Sequence, residues 1–248
     1  MITPSAVAAV CAIVFGASVL QRTVGFGFAL LAVPLLTFAV APKSAVVIAL
    51  LDGTATSAWI AVDLRRAIVP EATRRLGLGV LLGVPLGAVV LRAISPDALQ
   101  ALVGVTTCLA AVWIIVSSRL GGTGPDRAPR WRTVTLGFAS GVLATSVATS
   151  GPPVVYELRR RGLDGDAFRA TATAVLFIGD LFGIPALAVA GLLPGSTVLL
   201  AAISLVPCAV GIGAGAWISA RLEASHFVWA ADLLLLATGI ATVVRALV

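Results

Sequence analysis

Apolar positions in this chain do not alternate with polar ones but come in long blocks separated by short, arginine-bearing connections. The blocks cover approximately 5–40, 44–62, 75–92, 97–117, 133–156, 167–190, 196–219 and 226–245. A helix needs about 20 apolar residues to cross a hydrocarbon core roughly 30 Å thick. Each block is therefore predicted to be membrane-embedded and helical, because lipid offers no partner for an open backbone group. The two-residue alternation of a membrane β-barrel is missing. Two blocks do not read as simple spans. Block 5–40 is too long for one crossing and is interrupted at 21–27 by Gln21-Arg22-Thr23-Val24-Gly25-Phe26-Gly27. Block 133–156 is interrupted by Thr149-Ser150-Gly151-Pro152-Pro153. Glycine and proline break helices, and at membrane depth such breaks persist only where protein or a water-filled cavity surrounds them.

The pattern repeats. Asp52-Gly53 and Asp180 lie 128 residues apart in equivalent blocks, and so do Gly83-x-x-x-Gly87 and Gly211-x-x-x-Gly215. Small residues four apart let helices approach closely in lipid. The expected architecture is an all-α integral membrane protein of about eight transmembrane helices in two repeats. Each repeat opens with a broken or re-entrant helix pair. The first covers 1–117, the second 133–248, and the arginine-rich segment 118–132 is a cytoplasmic linker.

Composition supports this reading. The chain is 59% hydrophobic and 11% charged, with a mean hydropathy of +1.08, whereas soluble domains carry about 25% charged residues. The net charge of +6 is nearly all arginine. These arginines sit in loops without interleaved aromatics, so they read as orientation signals and not as a nucleic-acid surface. If both broken blocks are single crossings, Arg159, Arg160, Arg161 and Arg169 fall outside the cell, against the positive-inside bias. If both are hairpins, the repeats are inverted and every arginine cluster faces the cytoplasm. The inverted arrangement is favoured, since inverted repeats with broken helices are a known transporter plan.

The breaks also carry the candidate chemistry. A helix that restarts in the membrane presents free N–H groups and the positive end of its dipole, which together attract anions. Gln21, Arg22, Thr23, Gly25, Gly27 and Phe28 at the first break, with Thr149, Ser150, Gly151, Pro152 and Pro153 at the second, are the candidate substrate-binding residues. The plain alternative is two packing kinks, with Arg22 reaching an interface. Asp52 and Asp180 are acids inside spans, which cost a few kcal/mol and are candidates for function by default. They are candidates for carrying a proton, or for structural pairing with Arg22. No nucleophile, base and metal set converges, so no enzyme activity, metal or cofactor is expected. Cys11, Cys108 and Cys208 lie inside blocks without paired spacing and read as small apolar residues.

The two breaks also resemble a known family. Residues 24–38 (VGFGFALLAVPLLTF), with Ala41-Pro42-Lys43-Ser44-Ala45 after them, are similar to the first-half signature of TauE/SafE-type sulfite exporters. Residues 150–171 (SGPPVVYELRRRGLDGDAFRAT) resemble the second-half signature. The resemblance implies a multi-pass secondary transporter of the inner (cytoplasmic) membrane. Its substrate would be a small sulfur-containing anion such as sulfite, a sulfonate or sulfoacetate, exported with or without a proton. It carries over to Gly25, Gly27, Phe28 and Pro34, and to Ser150, Gly151, Pro152, Pro153 and Arg169. An anion channel, or a transporter of an unrelated organic anion, remains the alternative. The oligomeric state is open.

Overall fold

Four prolines open four helices in the first half. Proline's missing N–H costs nothing at a helix start, and its fixed φ suits the first turn. In the computed structural model, which describes residues 3–119, 129–221, 237–242 and 244, helix α1 spans Pro4–Val24, capped by the Thr3 hydroxyl. Helix α3 spans Pro42–Asp63, α4 Pro70–Ala93 and α5 Pro96–Arg119. The short α2, Phe28–Leu36, lies between α1 and α3. A 3-10 turn at Arg65–Ala67 precedes α4.

The second half repeats this order. Helix α6 spans Arg130–Ser146 and the short α7 spans Gly151–Arg160. Then come α8, Gly165–Val189, and α9, Gly195–Ser219. No strand occurs among the described residues. Among the described residues five helices, α1, α3, α4, α8 and α9, are long and apolar enough to cross a membrane. The two interrupted blocks are each split in two, as their glycines and prolines predict. At 1.5 Å per residue, α2 and α7 are only about 14 Å and 15 Å long, so neither crosses alone. Most of block 226–245 and most of the linker 118–132 lie outside the described residues. Within that last block, Gly239 abuts Cys108 of α5. Cys11, Cys108 and Cys208 are free thiols.

Glycines set how the long helices meet. Gly79, Gly83 and Gly87 of α4 lie against the backbone of α6 around Val134, Phe138 and Val142, and Gly137 and Gly141 face back at them. Gly211 and Gly215 of α9 lie in the same way on α1, near Phe15 and Val19. The rising numbers on both partners show that α4 runs parallel to α6, and α1 parallel to α9. Arg22, near the end of α1, pairs with Asp63 at the end of α3, so these two also run together. Helix α8 runs against α3, with Gly53 beside Asp180 and Leu50 beside Gly183. It runs with α4, joined at their starts by the Val69 N–H donating to Thr171 Oγ1 (3.0 Å). Thus α1, α3 and α9 point one way, and α4, α6 and α8 the other.

Charge sorts by end. The termini of α1, α3 and α9 and the starts of α4, α6 and α8 gather Arg22, Arg65, Arg66, Arg75, Arg132, Arg161, Arg169 and Arg221 at one face. At the opposite face Lys43 Nζ donates to the Arg92 carbonyl (3.1 Å). On the arginine face Glu157, fully buried, joins Arg161 (2.8 Å), Arg132 (3.5 Å) and the Thr133 hydroxyl (2.7 Å). That network ties the end of α7 to the start of α6, so α7 turns back along α6.

Candidate functional site

The first break needs glycine twice. Gly25 (φ 91°) and Gly27 (φ 101°) hold the left-handed conformation that side chains disfavour. Gly25 also lies so close to α8 that a Cβ there would sit 2.8 Å from the Arg169 Cα. The start of α8 clamps this loop: Thr173 Oγ1 donates to the Gly25 carbonyl (3.0 Å) and Arg169 Nη1 to the Thr23 carbonyl (3.4 Å). Arg169 also pairs with Asp166. The second break turns at Ala148 (φ 56°), a left-handed residue without glycine's freedom. There the Thr149 N–H donates to the Leu143 carbonyl (3.2 Å) and Ser140 Oγ to the Ser150 carbonyl (2.7 Å).

The two breaks meet across α3 and α8 around a cavity of about 30 Å3. The first break contributes Gln21, Gly27 and Phe28, and the second Ala148, Thr149, Ser150 and Gly151. Ala49, Gly53 and Ser57 of α3 and Leu176 and Asp180 of α8 complete most of the wall. Helices α2 and α7 both begin at this wall, and neither has a side-chain hydrogen bond capping its start. The N–H groups of Phe28, Ala29 and Leu30 precede the first intrahelical bond, which Leu31 donates to Gly27. In α7, Pro152 and Pro153 carry no N–H, which leaves Gly151 as the donor ahead of the first intrahelical bond at that end.

Two side chains at the cavity are unsatisfied. Gln21 is 2% exposed; its Nε2 donates to Ser57 Oγ (2.8 Å), while Oε1 has no partner. Thr149 is also 2% exposed, and its Oγ1 has no partner. Buried polar atoms are nearly always paired, so these two give the cavity hydrogen-bonding capacity for a polar guest. Turning the Gln21 amide over would leave Oε1 accepting from Ser57 and present Nε2 to that guest. Asp180, 8% exposed, lies on the same wall with no hydrogen-bond or ionic partner among the described residues.

Not every sequence candidate faces this space. Arg22 points to Asp63 and lies against Gly215 of α9. Thr23 Oγ1 donates to the Val19 carbonyl (2.8 Å) and Gly25 packs on Arg169. Pro152 and Pro153 shape the start of α7 without lining the cavity. Asp52, fully buried, faces α9: Ser204 Oγ donates to its Oδ2 (2.7 Å) and its Oδ1 is unpartnered. Ser57 and Ala49 were not singled out by sequence, although Ala49, Gly53 and Ser57 form a lane of small residues four apart. Among the described residues no group of three His, Cys, Asp or Glu side chains gathers as a metal site would require.

Comparison with known proteins adds one match. A family profile described as Sulfite exporter TauE/SafE matches residues 10–242. No curated protein and no solved structure matches the chain.

Proposed function

Since the chain belongs to the TauE/SafE sulfite exporter family, and is thus a multi-pass membrane transporter of the sulfite exporter type, we propose that it carries a small sulfur oxyanion or sulfonate through the cavity between its two helix breaks. The observation that carries this reading is the pair of uncapped helix starts, α2 and α7, meeting at a cavity where Gln21 and Thr149 have unpartnered polar atoms. Helix starts supply N–H donors and a partial positive charge of about half a unit each. A compact oxyanion with several acceptor oxygens suits that donor set. Ser150 and Thr149 add hydroxyls.

Asp180 sets the coupling. An anion about 5 Å from an ionised carboxylate, at an effective dielectric near 20, meets roughly 3 kcal/mol of repulsion. That is more than a hundredfold in affinity, so the anion enters with a proton on Asp180. A monovalent anion and its proton then move together without net charge, and direction follows the substrate gradient, outward from a cell that produces the anion. Asp52 lies on the flank of α3 that faces α9, which it holds through Ser204.

The two halves act as inverted repeats, 1–117 and 133–248, joined by the linker 118–132. The opposed directions of α1 and α6, α3 and α8, and α4 and α9 support this arrangement. So does the exchange of partners, with α1 on α9 and α4 on α6. The arginine face is cytoplasmic by the positive-inside bias. Alternating access is a rocking of one repeat against the other about the cavity.

Flux of labelled sulfite and of a sulfonate into liposomes, with and without a pH gradient, tests the reading. Saturable flux that speeds up when the substrate side is acidic is expected. Unsaturated flux indifferent to the gradient would replace the transporter with a channel.

A further inference from the structure

A second, larger hollow of about 840 Å3 opens at the arginine face, on the side of α3 turned away from the cavity. At 100° per residue, Ala55, Ala58 and Val62 lie roughly opposite Gly53 and Ser57 on the helix, so this hollow lies away from the cavity between the breaks. Its wall is apolar along α3, where Ala55 and Ala58 leave a lane beside the exposed rings of Trp59 and the exposed Val62. Its upper end is charged, closed by the 3-10 turn with Arg65 and Arg66, both exposed. The two carboxylates on the rim are already neutralised, Asp63 by Arg22 and Asp166 by Arg169. Arg65 and Arg66 have no acidic partner among the described residues; Arg65 donates only to the Val62 carbonyl (3.5 Å).

We infer that this hollow binds one anionic phospholipid of the arginine-side leaflet. Arg65 and Arg66 hold its phosphate, and the Ala55–Ala58–Val62 lane beside Trp59 holds an acyl chain. The charge gradient favours this occupant over a neutral lipid or a protein helix. Two unpaired cations sit at headgroup depth directly above a smooth apolar lane, and tryptophan marks that depth in membrane proteins. Basic pockets at the cytoplasmic ends of transmembrane helices take acidic headgroups by the same physics.

The test uses the purified full chain in detergent micelles holding equal amounts of phosphatidylglycerol and phosphatidylcholine, read by mass spectrometry of the intact protein. The parent is expected to retain phosphatidylglycerol in preference. Arg65→Ala with Arg66→Ala should weaken that retention roughly twenty-five-fold, two charges at about fivefold each, without weakening phosphatidylcholine. Ala58→Trp fills the lane and should displace both lipids, while Arg92→Ala on the opposite face should keep the parent's ratio. A thermal melt of each variant in detergent shows whether it is folded. Undiminished phosphatidylglycerol preference in the folded double arginine variant overturns the assignment. So does free glycerol phosphate binding as tightly as the lipid, or a doubled mass that Ala58→Trp abolishes, which would make a second copy the occupant.

Discussion

One residue's rotation separates Gln21 from Arg22. Neighbours on a helix point about 100° apart, so Gln21 reaches the cavity while Arg22 turns to Asp63 and α9. The sequence marks both as polar at a break, and only the packing of α1 against α3 and α9 decides which one faces inward. The same argument parts the two acids, since Asp180 lines the cavity and Asp52 faces Ser204. Thr149 offers a sharp test because its Oγ1 has no partner to lose. Thr149→Val keeps the shape and should leave the melting temperature unchanged or higher. It should weaken substrate binding by about tenfold, the loss of one hydrogen bond to a charged group. Tryptophan-fluorescence titration with sulfite reads the second effect, and unchanged affinity would remove Thr149 from the site. Asp180→Asn should retain binding yet make liposome flux insensitive to a pH gradient. Persisting gradient dependence in that variant would move the coupling proton elsewhere.

Between elements, close backbone approach outweighs side-chain interlocking. A Cβ at Gly83 would overlap the Phe138 carbonyl oxygen, whereas one at Gly213 would meet nothing within 4 Å. Gly83→Ala should therefore destabilise the protein by about 3 kcal/mol through overpacking. Gly213→Ala should be neutral, or stabilise by up to about 1 kcal/mol through helix propensity. Thermal melts of both variants in one detergent check the contrast, and equal losses would refute close α4–α6 contact. The recurrence of Gly83-x-x-x-Gly87 and Gly211-x-x-x-Gly215 was legible as small-residue spacing, because one residue type carries it. Their partners were not legible, since α6 and α1 lie far away in the chain and any smooth helix face satisfies the motif. The breaks were legible for the same local reason, glycine at positive φ and proline at a helix start. That α7 continues to Arg160 was not, because its charged last turn reads as loop until Glu157 gathers Thr133, Arg132 and Arg161.

At the scale of the whole molecule, charge and direction constrain each other. With α7 folded back along α6, Arg159–Arg161 lie at the same face as Arg65 and Arg66, and Lys43 and Arg92 lie at the other. A single crossing through 133–156 would instead have put those arginines on opposite sides. The interrupted block alone did not choose between these topologies, because each satisfies the backbone. The contacts of Glu157 favour the hairpin by placing both ends of α6–α7 together, and the proposal that the shared face is cytoplasmic rests on the positive-inside bias. Intact cells bearing single cysteines, in a background without Cys11, Cys108 and Cys208, give the check. A membrane-impermeant maleimide should label Arg92→Cys directly, and label Arg160→Cys only after the membrane is opened. Labelling of position 160 in intact cells would invert the molecule or undo the hairpin. Labelling of position 92 under the same conditions separates these, since an inverted molecule hides position 92 and a lost hairpin leaves it exposed.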